Sequence, residues 1–129
     1  MRLVIDELEY QNPVLIVKGE TPAGTVKGIW KDKKVPVIGE RYHTELSIDK
    51  PKEIKSVKQD SYSSVFVDNE NIIFTGLCED IDDEVYYLRF EIDWLEMLDI
   101  DVITDRKKKG DYISFSVNWR DIGICPYEI

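Results

Sequence analysis

Carboxylates are the residues of this chain with the greatest capacity for chemistry, since 26 of its 129 residues are Asp or Glu and one is His. Asp80, Asp82 and Asp83 have nearly the spacing with which a calcium-binding loop begins. The third aspartate is misplaced for such a loop, and the glycine that its sharp turn requires is absent. With so many carboxylates, a pair suited to glycoside hydrolysis arises by chance. We therefore predict no bound metal and no cofactor.

Nucleophilic, zinc and phosphate-binding motifs are also incomplete. His43 lies on the predicted polar face of a strand with no cysteine near it in sequence, so no Cys–His pair is indicated. One histidine and two distant cysteines do not supply the clustered ligands of a zinc site. Gly19 and Gly24 have the spacing of a phosphate-binding loop, but Thr25 and Val26 stand where Lys and Ser or Thr are required. We predict that the protein is not an enzyme.

The net charge of −9 is concentrated in one segment, from Glu79 to Asp101. This segment holds ten Asp or Glu and one basic residue, Arg89, while the rest of the chain is balanced. Such a block repels nucleic acid and attracts a basic partner. The predicted partner-binding residues are these carboxylates and two aromatic anchors: Glu79, Asp80, Asp82, Asp83, Glu84, Tyr87, Glu91, Asp93, Trp94, Glu96, Asp99 and Asp101. The same charges also fit a second interpretation, a solvated surface that keeps the protein soluble.

A basic run, Arg106–Lys109, supports an alternative function. Small barrels bind single-stranded nucleic acid through a basic groove beside aromatic side chains on which bases stack. Trp30, Tyr87 and Trp119 are the candidates for stacking. A short basic run beside a strongly acidic block makes a weak nucleic-acid surface, so a solvated loop, or one that folds back onto the block, is the preferred interpretation.

Alternation of apolar and polar residues dominates the chain and predicts strands with one polar face. The longest examples are Tyr42–Ile48, Tyr86–Ile92 and Ile113–Trp119. Pro51 is expected to end the first of these, because proline cannot donate to a sheet ladder. Further candidate strands, rich in β-branched residues, are Leu3–Glu9, Val14–Lys18, Thr25–Trp30, Ser64–Val67 and Ile72–Cys78.

Turn-like segments separate these strands. Asp68–Asn71 predicts a hairpin, and Lys107–Asp111 precedes the last long strand. Glu79–Glu84 is predicted to be a hairpin loop, with Glu91 on the polar face of the strand that follows. Asp93–Asp99 fits a short helix and a strand about equally well, because its apolar residues satisfy both periods.

Six to eight short strands joined by brief turns predict a mainly β fold with little helix. A chain of 129 residues with no internal boundary is expected to form one domain, residues 1–129. We predict a small antiparallel barrel or sandwich and favour an OB-like Greek-key barrel, because closure removes the exposed strand edges that promote aggregation.

The cysteines and the first residues of the chain indicate a compartment. Cys78 and Cys125 lie in apolar runs and are expected to be reduced core residues, since disulfides are rare in the cytosol. The segment that begins at Met1 lacks the apolar run of a secretory signal. No apolar stretch approaches the roughly 18 residues needed to span a membrane. We therefore predict a cytoplasmic protein.

Two parts of the chain resemble a known group of proteins. Gly39–Ile48, and Gly110–Val117 together with Asp121–Tyr127, resemble small acidic bacterial proteins of unassigned role, some of which look like the immunity partners of polymorphic toxins. The resemblance implies a cytoplasmic, non-enzymatic protein whose function is to bind. Immunity proteins against nuclease toxins are often acidic, because they cover a basic active site. The predicted partner is thus a basic protein, such as the product of an adjacent toxin gene, with no membrane involved and nucleic acid less favoured.

Overall fold

The computed structural model describes residues 1–57, 62–99 and 108–128, most of which form strands. The strands are β1 (Arg2–Gln11), β2 (Val14–Thr21), β3 (Gly24–Trp30), β4 (Arg41–Ile48), β5 (Lys52–Val57), β6 (Ser64–Asp68), β7 (Asn71–Asp82), β8 (Val85–Glu91), β9 (Trp94–Asp99), β10 (Tyr112–Asn118) and β11 (Ile122–Pro126). A 3₁₀ turn at Trp119–Asp121 joins the last two. This confirms the predicted mainly β fold. No helix in these residues is long and apolar enough to cross a membrane.

Five of the strands close into a barrel. β1 pairs with β2, β2 pairs with β3, and β4 returns to pair with β1, all antiparallel. β11 lies between β4 and β3 and completes the ring. It pairs with β4 in the antiparallel direction and with β3 in the parallel direction. The arrangement is the predicted small OB-like barrel rather than a sandwich. Its parallel pair departs from the predicted antiparallel barrel, because β11 enters beside β3 in the same direction after a long excursion of the chain.

Glycine allows β3 and β11 to approach closely. A Cβ at Gly28 would lie 2.8 Å from the carbonyl oxygen of Ile122, closer than Cβ contacts normally allow. The missing side chain therefore lets β11 lie against β3 and close the barrel. Alternate residues of the barrel strands, such as Leu3, Ile5 and Val26, are almost fully buried. The period-two pattern of the sequence thus defines the inward face.

The remaining strands extend the barrel wall into a second sheet region. β6 joins β3 through the pair Gly24–Val65, and the 12-residue β7 lies antiparallel to β6. β10 lies along one edge of β7 and leads to β5. On its other edge, β7 pairs with β6 and then, from Leu77 onward, with β8, which pairs with β9. β9 has no second neighbour among the described strands, so it forms an edge of the sheet.

An aromatic cluster fills the core of this second region. The rings of Phe74 and Phe115 stack with centroids 5.0 Å apart, and the ring of Phe90 lies 4.8 Å from that of Trp94. The rings of Phe74 and Trp94 meet edge-on at 6.4 Å. None of the four side chains is more than 3% exposed. β7, β8, β9 and β10 therefore each contribute one ring to a single apolar layer.

The ambiguous segment Asp93–Asp99 forms a strand rather than a helix. After a two-residue turn, β9 pairs with β8 along its length. Trp94 and Leu98 are buried, and the residues between them are partly or fully exposed. The strand is the outcome because pairing with β8 satisfies the backbone and places both apolar side chains on the core face.

The acidic hairpin loop predicted at Glu79–Glu84 is shorter than expected. β7 continues through the acidic run to Asp82, and a two-residue turn begins at Asp83, whose φ is 55°. Ile81 lies opposite Tyr86 in the ladder. The strand thereby gains an apolar cross-strand pair that a loop would lose.

Both thiols are free, and the structure distinguishes them. Cys78 is fully buried on β7, whereas Cys125 is half-buried on β11. The prediction of core thiols therefore applies fully to Cys78 and only in part to Cys125. Burial raises the pKa of the Cys78 thiol, and the carboxylate of Asp111 adds to this effect, so the thiolate is disfavoured.

Candidate functional site

The acidic segment folds into a three-stranded meander at one side of the second sheet region. We call residues 77–99 the acidic meander; its strands are the end of β7, β8 and β9, joined by two-residue turns. The antiparallel registers place Tyr87 beside Asp80 on one side and Met97 on the other. Tyr86 and Leu88 are buried and pack the inner face of the meander against the core. We call the opposite face the outer face.

The outer face carries a strip of apolar side chains, which we call the apolar strip: Tyr87, Ile92, Leu95 and Met97. Met97 lies opposite Tyr87 in the ladder, and Leu95 lies opposite Arg89. The exposed fractions are 93% for Ile92, 68% for Met97 and 41% for Leu95. Large apolar side chains that are exposed next to one another often mark a surface that binds another molecule, whereas single exposed apolar side chains are common on any protein.

Carboxylates surround the apolar strip, and we call them the acidic rim. The acidic rim comprises the exposed Glu79, Asp80, Asp82, Asp83, Glu84, Asp93 and Asp99 and the half-buried Glu91. Arg89 forms an ion pair with Glu79 at 3.0 Å and donates a hydrogen bond of 3.0 Å to the carbonyl of Ile92. Arg89 therefore offsets one charge of the rim and holds the turn that presents Ile92.

Two predicted partner-binding residues do not join this surface, and a third, Asp101, lies outside the described residues. Trp94 is 3% exposed within the aromatic cluster, so it is not accessible to a partner. Glu96 follows it on the inner side of β9. The physical reason is a shift of the ladder between Arg89 and Glu91, since this irregularity starts β9 with an inward side chain.

Glu96 has an environment that the sequence analysis does not anticipate. Its Oε1 accepts a hydrogen bond of 2.9 Å from Nε1 of Trp94. Burial raises the pKa of Glu96 to about 7; the Trp94 hydrogen bond and the Met1 amino group act against this rise, and Glu45 adds to it. The available signal in the sequence is that Glu96 lies midway between Trp94 and Leu98, in the inward register of an alternating segment.

Glu96 lines a cavity between β9 and the barrel. The cavity has a volume of about 340 Å³ and is open to solvent on one side. Residues 44–46 of β4 and residues 93–97 form most of its walls, and Met1 and Tyr127 complete them. The acidic meander thus has an outer face with an apolar strip and, beside it, a cavity with a largely buried carboxylate.

The aromatic residues proposed for stacking on nucleic-acid bases do not form one exposed surface in the structure. Trp30 is 6% exposed and Trp119 is 4% exposed. The guanidinium of Arg120 lies 4.3 Å from the ring centre of Trp119, and Nε1 of Trp30 donates to the carbonyl of Lys34 at 2.8 Å. Tyr87 is more accessible, but it lies inside the acidic meander. Of the basic run, residues 106 and 107 lie outside the described residues, and the next two are exposed.

Metal-ligand groups are not assembled in the part of the chain that the structure describes. There, no three or more His, Cys, Asp or Glu side chains form a group that could hold a metal ion. His43 is half-buried on β4, and its ring centroid lies 6.1 Å from that of Tyr127. That the protein binds no metal and catalyses no reaction stays a prediction.

Known proteins offer no direct comparison for this chain. No protein-family model, no curated protein and no solved structure matches it.

Proposed function

We propose that this protein is a non-enzymatic binding module, an immunity-type inhibitor that docks a basic protein partner on the outer face of the acidic meander. The observation that carries the proposal is the exposed apolar strip surrounded by the acidic rim. Protein interfaces have this anatomy, with an apolar centre inside a polar border. The single sign of the border favours a partner of positive charge, such as a toxin with a basic active site.

Tyr87 is the aromatic anchor of this surface, in place of the buried Trp94. It lies on the central strand of the meander, between Asp80 and Met97 in the ladders. Tyrosine is enriched among the residues that dominate binding energy, because its rigid ring supplies contact area and its hydroxyl supplies a hydrogen bond. Burial of Met97 and Leu95 beside it would add about 25 cal/mol for each Å² of apolar surface removed from water.

The acidic rim acts mainly on the rate of association. All of its carboxylates except Glu91 are exposed, so each of these contributes little to the affinity of the final complex. Their common sign produces a potential that reaches beyond contact distance and orients an approaching basic protein. The apolar strip and the acidic rim therefore have separate roles, since the first holds the partner and the second steers it.

Reversal of Asp82, Asp83 and Glu91 to Lys tests this function against the protein encoded by the neighbouring gene. Each substitution replaces attraction with repulsion, so we expect the association rate constant to fall at least about tenfold at low salt. The difference from the parent should shrink at 1 M salt, where the screening length is about 3 Å. Stopped-flow measurements at several salt concentrations determine both effects.

A matched control reverses Glu7, Glu9 and Glu40, three exposed carboxylates outside the meander. This variant has the same net charge as the meander variant, and we expect its association rate constant to change less than about threefold. Equal slowing in both variants would reveal a nonspecific effect of net charge. If the association rate constant of the meander variant is unchanged at low salt, the acidic rim is only a solvated surface and does not bind the partner.

A further inference from the structure

The cavity between β9 and the barrel has mixed polar and apolar walls, and carboxylates are among the groups that line it. Its volume of about 340 Å³ places it at the small end of ligand pockets, and Leu46, Leu95 and Met97 are among the residues that line it. Glu96 reaches the cavity from the inner side of β9, and Glu45 reaches it from β4. These dimensions suit a single long side chain better than a folded segment.

The charged side chains that line this cavity are all acidic, although the amino group of Met1 supplies a positive charge at its wall. Glu45, Asp93 and Glu96 contribute carboxylates, and no lysine or arginine is among the described residues that line it. The Met1 amino group lies nearby and already donates a hydrogen bond of 2.8 Å to the carbonyl of Thr44. Burial of the Glu96 carboxylate without a cationic side chain beside it is costly. A cation that entered the cavity would relieve this cost.

We propose that the cavity receives one arginine side chain of the basic partner, with its guanidinium on the Glu96 carboxylate. This inference rests on the proposed docking function and names the residue that the site selects. The cavity adjoins the docking surface, because Leu95 and Met97 belong to both the apolar strip and the cavity wall. A partner that covers the apolar strip is therefore placed to insert a side chain here.

Arginine fits this cavity better than lysine or a metal ion. Its guanidinium is planar and weakly hydrated, and it binds a carboxylate through two parallel hydrogen bonds. Oε1 of Glu96 accepts the bond from Trp94, and the carboxylate retains further acceptor sites. The methylene stem of arginine would pack on Leu46. A metal ion needs several ligands around it, and the described residues do not form such a group.

Binding of arginine should depend on pH, because the guanidinium needs the charged form of Glu96. The other groups that face the cavity are Glu45 from β4, Asp93 from the turn before β9, the Met1 amino group and the Tyr127 hydroxyl. With the pKa of Glu96 at about 7, its ionised fraction rises about tenfold between pH 6 and pH 8. The affinity for arginine should rise by about the same factor.

The experiment uses N-acetylarginine methylamide as the probe and the indole N–H resonance of Trp94 as the reporter. This N–H donates to Glu96 at 2.9 Å, so its chemical shift senses the charge and the occupancy of the cavity. In the parent protein we expect a saturable shift at pH 8 and binding roughly tenfold weaker at pH 6. The neutral isostere N-acetylcitrulline methylamide should give no saturable shift.

Three variants locate the binding. Glu96→Gln retains an acceptor for Trp94 but removes the charge, so we expect at least a fivefold loss of affinity, as an order of magnitude, and no pH dependence. Asp82→Asn removes the same charge from the acidic rim outside the cavity and should keep the affinity within about twofold. Glu45→Gln should weaken binding by a smaller factor, and it provides a test if Glu96→Gln does not fold.

Several outcomes would overturn the proposal. They are equal affinity of the parent and a folded Glu96→Gln, equal binding of the citrulline probe, and no saturable shift of the parent at pH 8. Equal weakening by Asp82→Asn would also overturn it, since the probe would then sense only general attraction. None of these outcomes affects the association rate measured with the product of the neighbouring gene, so failure of the cavity and failure of the docking function are distinguishable.

Discussion

At the scale of single residues, Glu96 makes the stability of the fold depend on pH. The pKa of its carboxyl group is raised from 4.5 to about 7, and burial is the largest cause. Between these two values the unfolded chain releases the proton while the folded chain keeps it. The stability contributed by this group is therefore fully present below pH 4.5, falls as the pH rises to about 7, and is constant above that.

The Glu96→Gln variant should lose this part of the pH dependence. A neutral amide pays no cost of ionisation, so at pH 8 we expect its unfolding free energy to exceed that of the parent by up to about 3 kcal/mol. Urea denaturation at pH 5 and pH 8 measures the difference. Asp82→Asn, which removes an exposed carboxylate, should keep the dependence of the parent. If the unfolding free energy depends on pH equally in Glu96→Gln and in the parent, Glu96 is not the source of the pH dependence.

The aromatic residues of the meander show where sequence reasoning ends at this scale. Tyr87 and Trp94 are equivalent as anchor candidates in the sequence, because both lie inside the acidic block. The structure separates them, since Tyr87 lies on the outer face and Trp94 packs against Phe90 with centroids 4.8 Å apart. The deciding feature is the shift of the β8–β9 ladder, and alternation alone does not reveal an irregularity of one residue.

At the scale of secondary-structure elements, Gly24 joins the barrel to the second sheet region. Gly24 has a φ of 133° and pairs with Val65 of β6. The Val65 N–H donates a hydrogen bond of 2.9 Å to the carbonyl of Ala23. A Cβ at Gly24 would overlap the carbonyl oxygen of Val65. Glycine is thus required here both for its backbone conformation and for space.

The Gly24→Ala variant should lower the unfolding free energy by about 3 kcal/mol, because it combines backbone strain with a clash at the junction. Gly39→Ala is the matched control, since Gly39 also has a positive φ, 88°, but has open space where a Cβ would lie. We expect that control to lose about 1 kcal/mol. Urea denaturation of both variants measures the losses, and equal losses would mean that the junction adds nothing to the strain.

The elements differ in how visible they are in the sequence. Tyr42–Ile48 and Ser64–Val67 are predictable because their alternation or β-branched content is confined to neighbouring residues, and they lie within β4 and β6. β5 is mostly charged and polar, so its pairing with β10 leaves no apolar pattern. β11 contains Gly123 and Pro126, which signal turns, yet it is buried between β3 and β4. Its strand character depends on neighbours distant in sequence.

At the scale of the whole molecule, the concentration of charge in one meander has a cost in stability. Reversal of Asp82, Asp83 and Glu91 to Lys changes the net charge from −9 to −3, since each reversal adds two charges. Repulsion in the folded state then decreases, so we expect the unfolding free energy at low salt to stay equal or to rise by up to about 1 kcal/mol.

Thermal and urea denaturation of the isolated variant measure this effect. The gain in unfolding free energy should vanish at 1 M salt, where the screening length is about 3 Å. The variant with Glu7, Glu9 and Glu40 reversed has the same net charge and should gain less, because its substitutions lie outside the meander. A clear loss of stability in the meander variant would assign its carboxylates a structural role.

The sequence by itself determined the β class of this protein, the inward face of most strands and the place of its charge. Alternation is a property of consecutive residues, so it defines the two faces of a strand before any partner strand is known. Only the tertiary structure decided that β11 closes the barrel beside β3, that Trp94 belongs to the core and that Glu96 lines a cavity. The closure depends on pairing between distant residues and the place of Trp94 on a shift of the ladder, which local periodicity does not reveal. Alternation between Trp94 and Leu98 indicates that Glu96 faces inward, but it does not reveal that a cavity lies there.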